Sequence, residues 1–152
     1  MLQTVSEIRY LDDVALVTVN RIPNSPQCLA AVMRMILHQH TATDIICYAP
    51  PCRNKASCSF TLPQVFLPEM IKATPALKSI SPEIFIDVNG NNTKFTFFSL
   101  DSLNDADLFQ RLADANISVK WIATTETRFS CLVDCNDAEK MKTLFTCKKH
   151  FI

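Results

Sequence analysis

The clearest pattern of hydrophobic and polar positions lies between residues 116 and 134. Two runs within this stretch place apolar side chains at every second position: Ile117, Val119, Trp121 and Ala123 in the first, then Phe129, Cys131 and Val133 in the second. A period of two is typical of half-buried antiparallel strands. Because polar residues 124–126 separate the two runs, the pattern predicts a β-hairpin.

Similar patterns predict two copies of a βαββαβ element order along the chain. The first copy is expected to have strands over 14–19, 43–48, 56–62 and 83–88 and helices over 26–39 and 67–73. The second copy is expected to have strands over 93–100, 117–123 and 127–133 and helices over 105–115 and 136–147. The second copy therefore lacks a fourth strand. We expect the unassigned strand at 4–10 to cover the open edge of its sheet.

Polar residues and prolines set the expected boundaries of these elements. Asp12 and Asp13 are expected to break the chain between the first two strands, and the prolines at 50 and 51 to widen the first hairpin. Three prolines between residues 63 and 77 leave room for only a short helix. The Asn-Gly pair at 89–90 favours a hairpin. The alternative, also open, is that the two copies meet here and the flanking strands lie in different sheets.

The chain contains a single glycine, Gly90. This excludes the glycine-rich loops that bind phosphate groups. Turns with positive φ elsewhere must use residues that tolerate that conformation, and the candidates are Asn24, Asn54, Asn91 and Asn92.

Two long segments resemble the regulatory region of aspartate kinases. LFQRLADANISVKWIATTETRFSCLVDCNDAEK resembles its second ACT domain, and VALVTVNRIPNSPQCLAAVMRMILHQHTATDII resembles its first. The resemblance implies an α+β fold of two ferredoxin-like βαββαβ ACT domains packed side by side. We expect the first ACT-like domain at 12–89, and the second at 90–152, completed by the N-terminal strand 1–11. Since no kinase catalytic domain is recognisable, the chain resembles a free-standing tandem ACT protein.

Charge and hydropathy exclude several classes of partner. The chain has 15 Lys and Arg against 15 Asp and Glu, so it lacks the basic excess of a nucleic-acid-binding protein. No run of 18 apolar residues and no signal-peptide pattern is present. We therefore expect a cytoplasmic protein with neither nucleic acid nor membrane as a partner.

The sequence offers no recognisable catalytic or metal-binding motif. The three histidines, His38, His40 and His150, lie in no catalytic-triad motif. The seven cysteines lack the spacing of structural zinc sites and are expected to remain thiols in a reducing compartment. Those within apolar runs are expected to act as small hydrophobic residues, namely Cys28, Cys47, Cys58 and Cys131. We predict a protein that is not an enzyme and that uses no metal or cofactor.

A candidate ligand site follows from a helix start and from the resemblance. Ser25 and Pro26 predict an N-cap and a first helical residue, followed by free backbone N–H groups that suit a carboxylate. The resemblance implies that an effector amino acid contacts this loop and the strand that begins near residue 116. The expected ligand-binding residues are Asn24, Ser25, Gln27, Tyr48, Asn116, Ser118 and Val119.

The predicted function is that of a non-catalytic regulatory module that binds a small amino acid at an interface between ACT domains of a homodimer. The resemblance favours lysine or threonine as effector, and it adds a regulated enzyme as a further partner. The alternative is a ligand-free module for dimerisation or protein interaction, with a degenerate site. Three departures from the family motif support that alternative, since Asn24 replaces an acid, Gln27 a glycine and Tyr48 a glutamine.

Overall fold

The computed structural model describes residues 7–38, 45–98, 106–125 and 128–146. Its strands are β1 Glu7–Pro23, β2 Ile46–Cys52, β3 Lys55–Pro63, β4 Phe85–Phe98, β5 Val119–Thr124 and β6 Arg128–Asp134. Its helices are α1 Pro26–His38, α2 Leu67–Lys72, α3 Thr74–Ile80, α4 Ala106–Asp114 and α5 Ala138–Thr146. Short 3-10 turns, Gln64–Phe66 and Cys135–Asp137, precede α2 and α5. The predicted α+β class is confirmed.

The chain divides into two compact units. The first unit comprises residues 13–90. The second unit, where the structure describes it, comprises residues 7–12, 91–98, 106–125 and 128–146. Since the divisions fall within β1 and β4, each of these strands contributes one part to each unit.

The first unit is a four-stranded sheet with helices packed on one face. Its strand order is β2-β3-β1-β4, and β3 is antiparallel to both β1 and β2. Alternate residues of β1 and β3 face a core that the three helices complete: Ala15, Val17, Val19, Cys58, Phe60, Leu62, Val32, Ile36, Met70 and Leu77. The four-residue spacing of Val32 and Ile36 places both on one face of α1.

The second unit repeats this architecture with strand order β1-β4-β6-β5. β6 is antiparallel to β4 and β5, and its apolar residues pair with phenylalanines of β4. The core consists of residues from the sheet, α4 and α5: Phe95, Phe97, Leu112, Ile117, Phe129, Cys131, Val133, Ala138, Met141 and Phe145. The Phe97 ring lies 4.9 Å from that of Phe145 and 5.7 Å from that of Phe129.

The N-terminal part of β1 lies beside β4 in the second unit. The Tyr10 and Phe95 rings are 6.0 Å apart, and Thr93 Oγ1 donates a hydrogen bond to Asp12 Oδ1 at 2.8 Å. Arg9 lies over the Phe98 ring, 4.9 Å from its centre. These contacts make residues 7–12 a strand of the second unit's sheet.

Two expected breaks are absent. The structure has one strand through Asp12 and Asp13, with Asp13 alone in the left-handed region at φ 54°. It also has one strand through the Asn-Gly segment, where Asn91 has φ 58°. The predicted hairpin at 89–90 is therefore wrong. A single left-handed residue bends a strand without ending it, as in a β-bulge.

Two effects of proline were also predicted wrongly. Arg53 and Asn54 alone connect β2 to β3, with φ 51° and 64°, which is the two-residue turn of a tight hairpin. Pro50 and Pro51 instead coincide with a register shift inside β2. Pro75 lies in the first turn of α3. A backbone N–H at that position would have no acceptor within the helix, so proline is tolerated there. A second helix can therefore follow α2.

Candidate functional site

The loop between β1 and α1 ends in a side-chain cap. Ser25 Oγ accepts a hydrogen bond from the Cys28 backbone N–H at 3.2 Å, and the Leu29 N–H donates to the Ser25 carbonyl oxygen at 3.0 Å. The Ser25 hydroxyl donates in turn to Gln27 Oε1 at 3.1 Å. Ser25 is therefore the N-cap and Pro26 the first helical residue, as the sequence predicts.

This cap leaves fewer backbone donors than the sequence predicts. Pro26 has no N–H, and the N–H groups of Cys28 and Leu29 already have acceptors. In the first helical turn, the Gln27 backbone N–H is the one donor without an acceptor among the described residues. A helix start carries partial positive charge, so this N–H suits a carboxylate. The sequence predicts several free backbone N–H groups at the start of α1, and among the described residues only that of Gln27 lacks an acceptor.

Asn24 lies on the surface beside the turn of the β2–β3 hairpin. Its backbone N–H donates to the Asn54 carbonyl oxygen at 3.0 Å, next to the pair formed by Pro23, the last residue of β1, and Lys55, the first residue of β3. Its exposed side chain makes no hydrogen bond within the part of the chain that the structure describes. The amide oxygen can therefore accept a hydrogen bond from an ammonium group, without the added attraction of a negative charge.

Charged side chains next to this loop were not predicted from the sequence. Arg21 has φ 57°, an uncommon value for a residue other than glycine, and its guanidinium lies 5.9 Å from the centre of the Phe85 ring. Lys55 forms an ion pair with Glu83, and the hydrogen bond from Lys55 holds the pKa of Glu83 below its usual range. These contacts join residues that are distant in sequence, so no local pattern indicates them.

Tyr48 belongs to β2, which pairs with β3 alone within the described sheet. It is opposite Cys58, a core residue, so its side chain lies on the face of the sheet that carries the helices. The Tyr48 side chain is 42% exposed and has no hydrogen-bond partner among the described residues. It therefore adds an accessible hydroxyl to the surface that also carries α1.

Asn116 ends helix α4 rather than forming part of a strand. The Asn116 N–H donates to the Ala113 carbonyl oxygen at 2.9 Å, and the Ile117 N–H donates to the Leu112 carbonyl oxygen at 2.9 Å. With Asn116 at φ 55°, this is a Schellman motif, in which a left-handed residue lets the chain turn back over the helix end. Leu112 and Ile117 are both buried, which supplies the apolar contact that accompanies this motif.

Ser118 and Val119 follow this turn and lead into β5. Val119 is half-buried and pairs with Val133, whereas Ser118 is exposed. The next pair is Trp121 with Leu132, so Lys120 is an extra residue in β5. This two-against-one pairing defines a β-bulge directly after two of the predicted site residues.

Lys120 crosses the sheet and joins three strands. Its Nζ donates to Asn92 Oδ1 of β4 at 2.7 Å and to Asp134 Oδ2 of β6 at 3.1 Å. Asp134 Oδ1 also accepts from the Asn136 N–H at 2.9 Å. That backbone hydrogen bond, followed by the one from Lys120, holds the pKa of Asp134 below its usual range. Sequence patterns did not indicate this cluster.

The predicted site residues therefore form two groups, one in each unit. Asn24, Ser25, Gln27 and Tyr48 lie in the first unit, and Asn116, Ser118 and Val119 lie in the second. A surface groove of about 470 Å³, bounded by α5 and the residue that follows α4, contains none of them. It is lined by Ala115, Glu139, Lys140, Thr143 and Leu144.

The cysteines expected in the core differ in burial. Cys58 and Cys131 are fully buried, whereas Cys28 and Cys47 are half-buried. Burial raises the pKa of the Cys58 thiol to about 11 and that of Cys131 to about 12. Across the described ranges, His, Cys, Asp and Glu form no group of three that could hold a metal ion. None of the helices described is long and apolar enough to cross a membrane.

Comparison with known proteins identifies the fold. Residues 105–144 match the model of the ACT domain family. The regulatory subunit of aspartate kinase from Thermus flavus is similar, with a TM-score of 0.82, 21% identity and coverage of 97% of this chain and 100% of that chain. The ligand-free regulatory subunit from Thermus thermophilus is also similar, with a TM-score of 0.79, 20% identity and coverage of 96% of this chain and 99% of that chain.

A third similar structure is E. coli aspartokinase III in complex with lysine and aspartate. Its TM-score is 0.64 at 15% identity, with coverage of 91% of this chain and 32% of that chain. No match was found among curated proteins. At these identities the solved structures show the fold alone. Residues 105–144 thus match an ACT domain, and the chain shares the fold of the regulatory subunits of aspartate kinase.

Proposed function

We propose that this protein is a non-catalytic regulatory module that binds a free amino acid, with lysine and threonine as the first candidates. The effector binds between the Arg21–Gln27 segment of one subunit and the Asn116–Val119 segment of a second subunit in a homodimer. Binding changes the activity of a partner enzyme. The similarity to regulatory subunits of aspartate kinase supports the regulatory role, and lysine in the similar aspartokinase III complex supports the choice of effector.

The observation that carries this proposal is the Gln27 N–H at the start of α1, which has no acceptor within the described part of the chain and lies next to the exposed side chain of Asn24. A carboxylate fits the N–H at the positive end of the helix, and an ammonium fits the Asn24 amide oxygen. An amino acid carries both groups at a short separation. In the other unit, exposed Ser118 offers a hydroxyl that can donate or accept.

A thermal-shift screen of the twenty amino acids, followed by calorimetry, tests this function. An amino acid that binds only the folded state raises the melting temperature, by an amount that grows with its concentration. We expect lysine or threonine to do so, and Ser118→Trp to abolish binding while the variant remains folded. If wild type and Ser118→Trp bind the same amino acid equally well, the effector site lies elsewhere.

The alternative function, a ligand-free dimerisation module, is favoured by a different observation. Ser25 caps α1, Gln27 accepts a hydrogen bond from Ser25, and Asn116 ends α4, so all three have local structural roles. This alternative predicts a dimer at micromolar concentration and no thermal shift with any amino acid. Light scattering after gel filtration tests the dimer that both functions require, and the amino-acid screen separates the two functions.

A further inference from the structure

We propose that Lys120 is a positioning residue, whose ammonium holds the start of β5 and thereby fixes the Asn116–Val119 segment in the shape that receives the effector. The functional part of this inference rests on the proposed function. The structural part, that Lys120 immobilises the segment, stands on the contacts of Lys120 alone.

The first step is the bulge itself. Val119 pairs with Val133 and Trp121 with Leu132, so the pairing register shifts at Lys120. An extra residue disrupts the regular ladder locally and re-aims the side chains around it. Without a further restraint, the start of an outer strand would be expected to open easily.

The second step is the restraint. The Lys120 ammonium reaches Asn92 Oδ1 and Asp134 Oδ2, at 2.7 and 3.1 Å, and so connects β5 with β6 and β4. Asn92 is fully buried, and Asp134 is itself fixed by the Asn136 N–H. Hydrogen bonds from an ammonium are stronger than those between neutral groups, and the Lys120 side chain is only 26% exposed. The bulge is therefore attached to rigid parts of the sheet.

The third step is that the segment is held at both ends. At its start, the Schellman motif fixes Asn116 and Ile117 on the end of α4. At its end, Lys120 fixes the bulge, so Ser118 and Val119 lie between two anchored points. A binding segment that is already ordered loses little conformational entropy when a ligand binds, which raises affinity without any contact from the anchoring residue.

The experiment compares wild type with Lys120→Met, which keeps the length of the side chain but removes its charge, and with Lys120→Arg, which keeps charge and donors. The matched control is Lys140→Met, because Lys140 is an exposed lysine of the same unit that pairs with Asp137 at 3.6 Å. If Lys120→Met does not fold, Lys120→Gln carries the same comparison. Amide hydrogen exchange is measured over residues 117–121, with residues 129–133 as internal reference, and calorimetry uses free lysine and free threonine as probes.

We expect Lys120→Met to lower protection at residues 119–121, and affinity for the amino acid that binds, by about threefold to tenfold each. Protection at residues 129–133 should stay within twofold of wild type, Lys120→Arg should restore both quantities, and Lys140→Met should change neither. Equal protection at residues 119–121 in Lys120→Met and Lys140→Met would overturn the inference. Lower protection with unchanged affinity would overturn its functional part. If wild type binds neither probe nor any other amino acid, the proposed function fails, and the exchange data still decide whether Lys120 holds the segment.

Discussion

The two groups of candidate residues are attached to opposite ends of helices. In the first unit, Asn24, Ser25 and Gln27 surround the start of α1, and in the second unit Asn116 and Ser118 follow the end of α4. A helix start carries partial positive charge and a helix end partial negative charge. The start of α1 therefore presents a positive local potential, and the end of α4 a negative one.

The two groups also differ in how they are held. A side chain, Ser25, caps the first, whereas backbone hydrogen bonds at Asn116 and the long side chain of Lys120 hold the second. The first combines this local cap with one backbone hydrogen bond from Asn24 to Asn54, and the second also depends on side-chain contacts with strands that are distant in sequence. We expect the second group to be more sensitive to changes elsewhere in its sheet.

The largest expected effect is that of removing residues 1–11, which deletes the contacts of Arg9 and Tyr10 with β4. Because β4 then becomes an exposed edge, we expect aggregation or loss of exchange protection at residues 129–133. Residues 15–19 of the first unit serve as the internal control and should remain protected. Unchanged protection at 129–133 would contradict the dependence of the second unit on the N-terminal strand.

A smaller loss is expected from truncating one core phenylalanine in each unit. Phe97→Ala removes a ring that contacts Phe129 and Phe145, and Phe60→Ala is its counterpart in the first unit. Each should destabilise its own unit by about 3–5 kcal/mol. Residue-resolved hydrogen exchange in mild denaturant measures where protection falls. Equal loss across both units for both variants would show that the units unfold together, which would weaken the contrast between them.

Local sequence signals predicted the elements whose stability is local. The β5–β6 hairpin follows from its alternation, and the start of α1 from Ser25 and Pro26. Polar residues misled the prediction where a strand continued through them, as at Asp13 and Asn91. At each of these positions one residue in the left-handed conformation bends the strand, and pairing with the neighbouring strand keeps the rest of the segment extended.

The less predictable part of the site depends on contacts between distant residues. Asn116 was predicted as a residue of the binding strand, but the pattern did not indicate the Schellman motif that it forms. Lys120 resembles any polar residue on the exposed face of a strand until its partners Asn92 and Asp134 are placed beside it. Pairing register, which no local pattern specifies here, brings these three residues together.

Replacing the cap of the first group tests how locally it is held. Ser25→Ala removes the acceptor of the Cys28 N–H, and should cost about 1 kcal/mol of stability. Ser25→Gly is the control, because glycine at an N-cap costs only about a few tenths of a kcal/mol relative to serine. Chemical denaturation measures both. If Ser25→Ala lowers exchange protection in residues 117–121, the two groups are not held independently, and the comparison between them fails.

The smallest effect concerns the charge of the first group. Asn24→Asp turns a neutral acceptor into a carboxylate at the surface, beside the start of α1. A hydrogen bond from an ammonium to a charged acceptor is stronger than one to a neutral acceptor by about 1 kcal/mol, so affinity for the effector should rise about fivefold. Calorimetry with lysine and threonine measures this change.

Asn54→Asp is the matched control, because it adds the same charge in the adjacent hairpin turn, where the Asn54 carbonyl oxygen bonds to the Asn24 N–H. If charge acts through contact with the ammonium, Asn24→Asp tightens binding and Asn54→Asp does not. Equal tightening by both would mean that the effect is only general attraction, which should vanish at high salt. Weaker binding by Asn24→Asp would indicate that the effector's carboxylate, rather than its ammonium, lies against this residue, and the orientation proposed for the amino acid would have to be reversed.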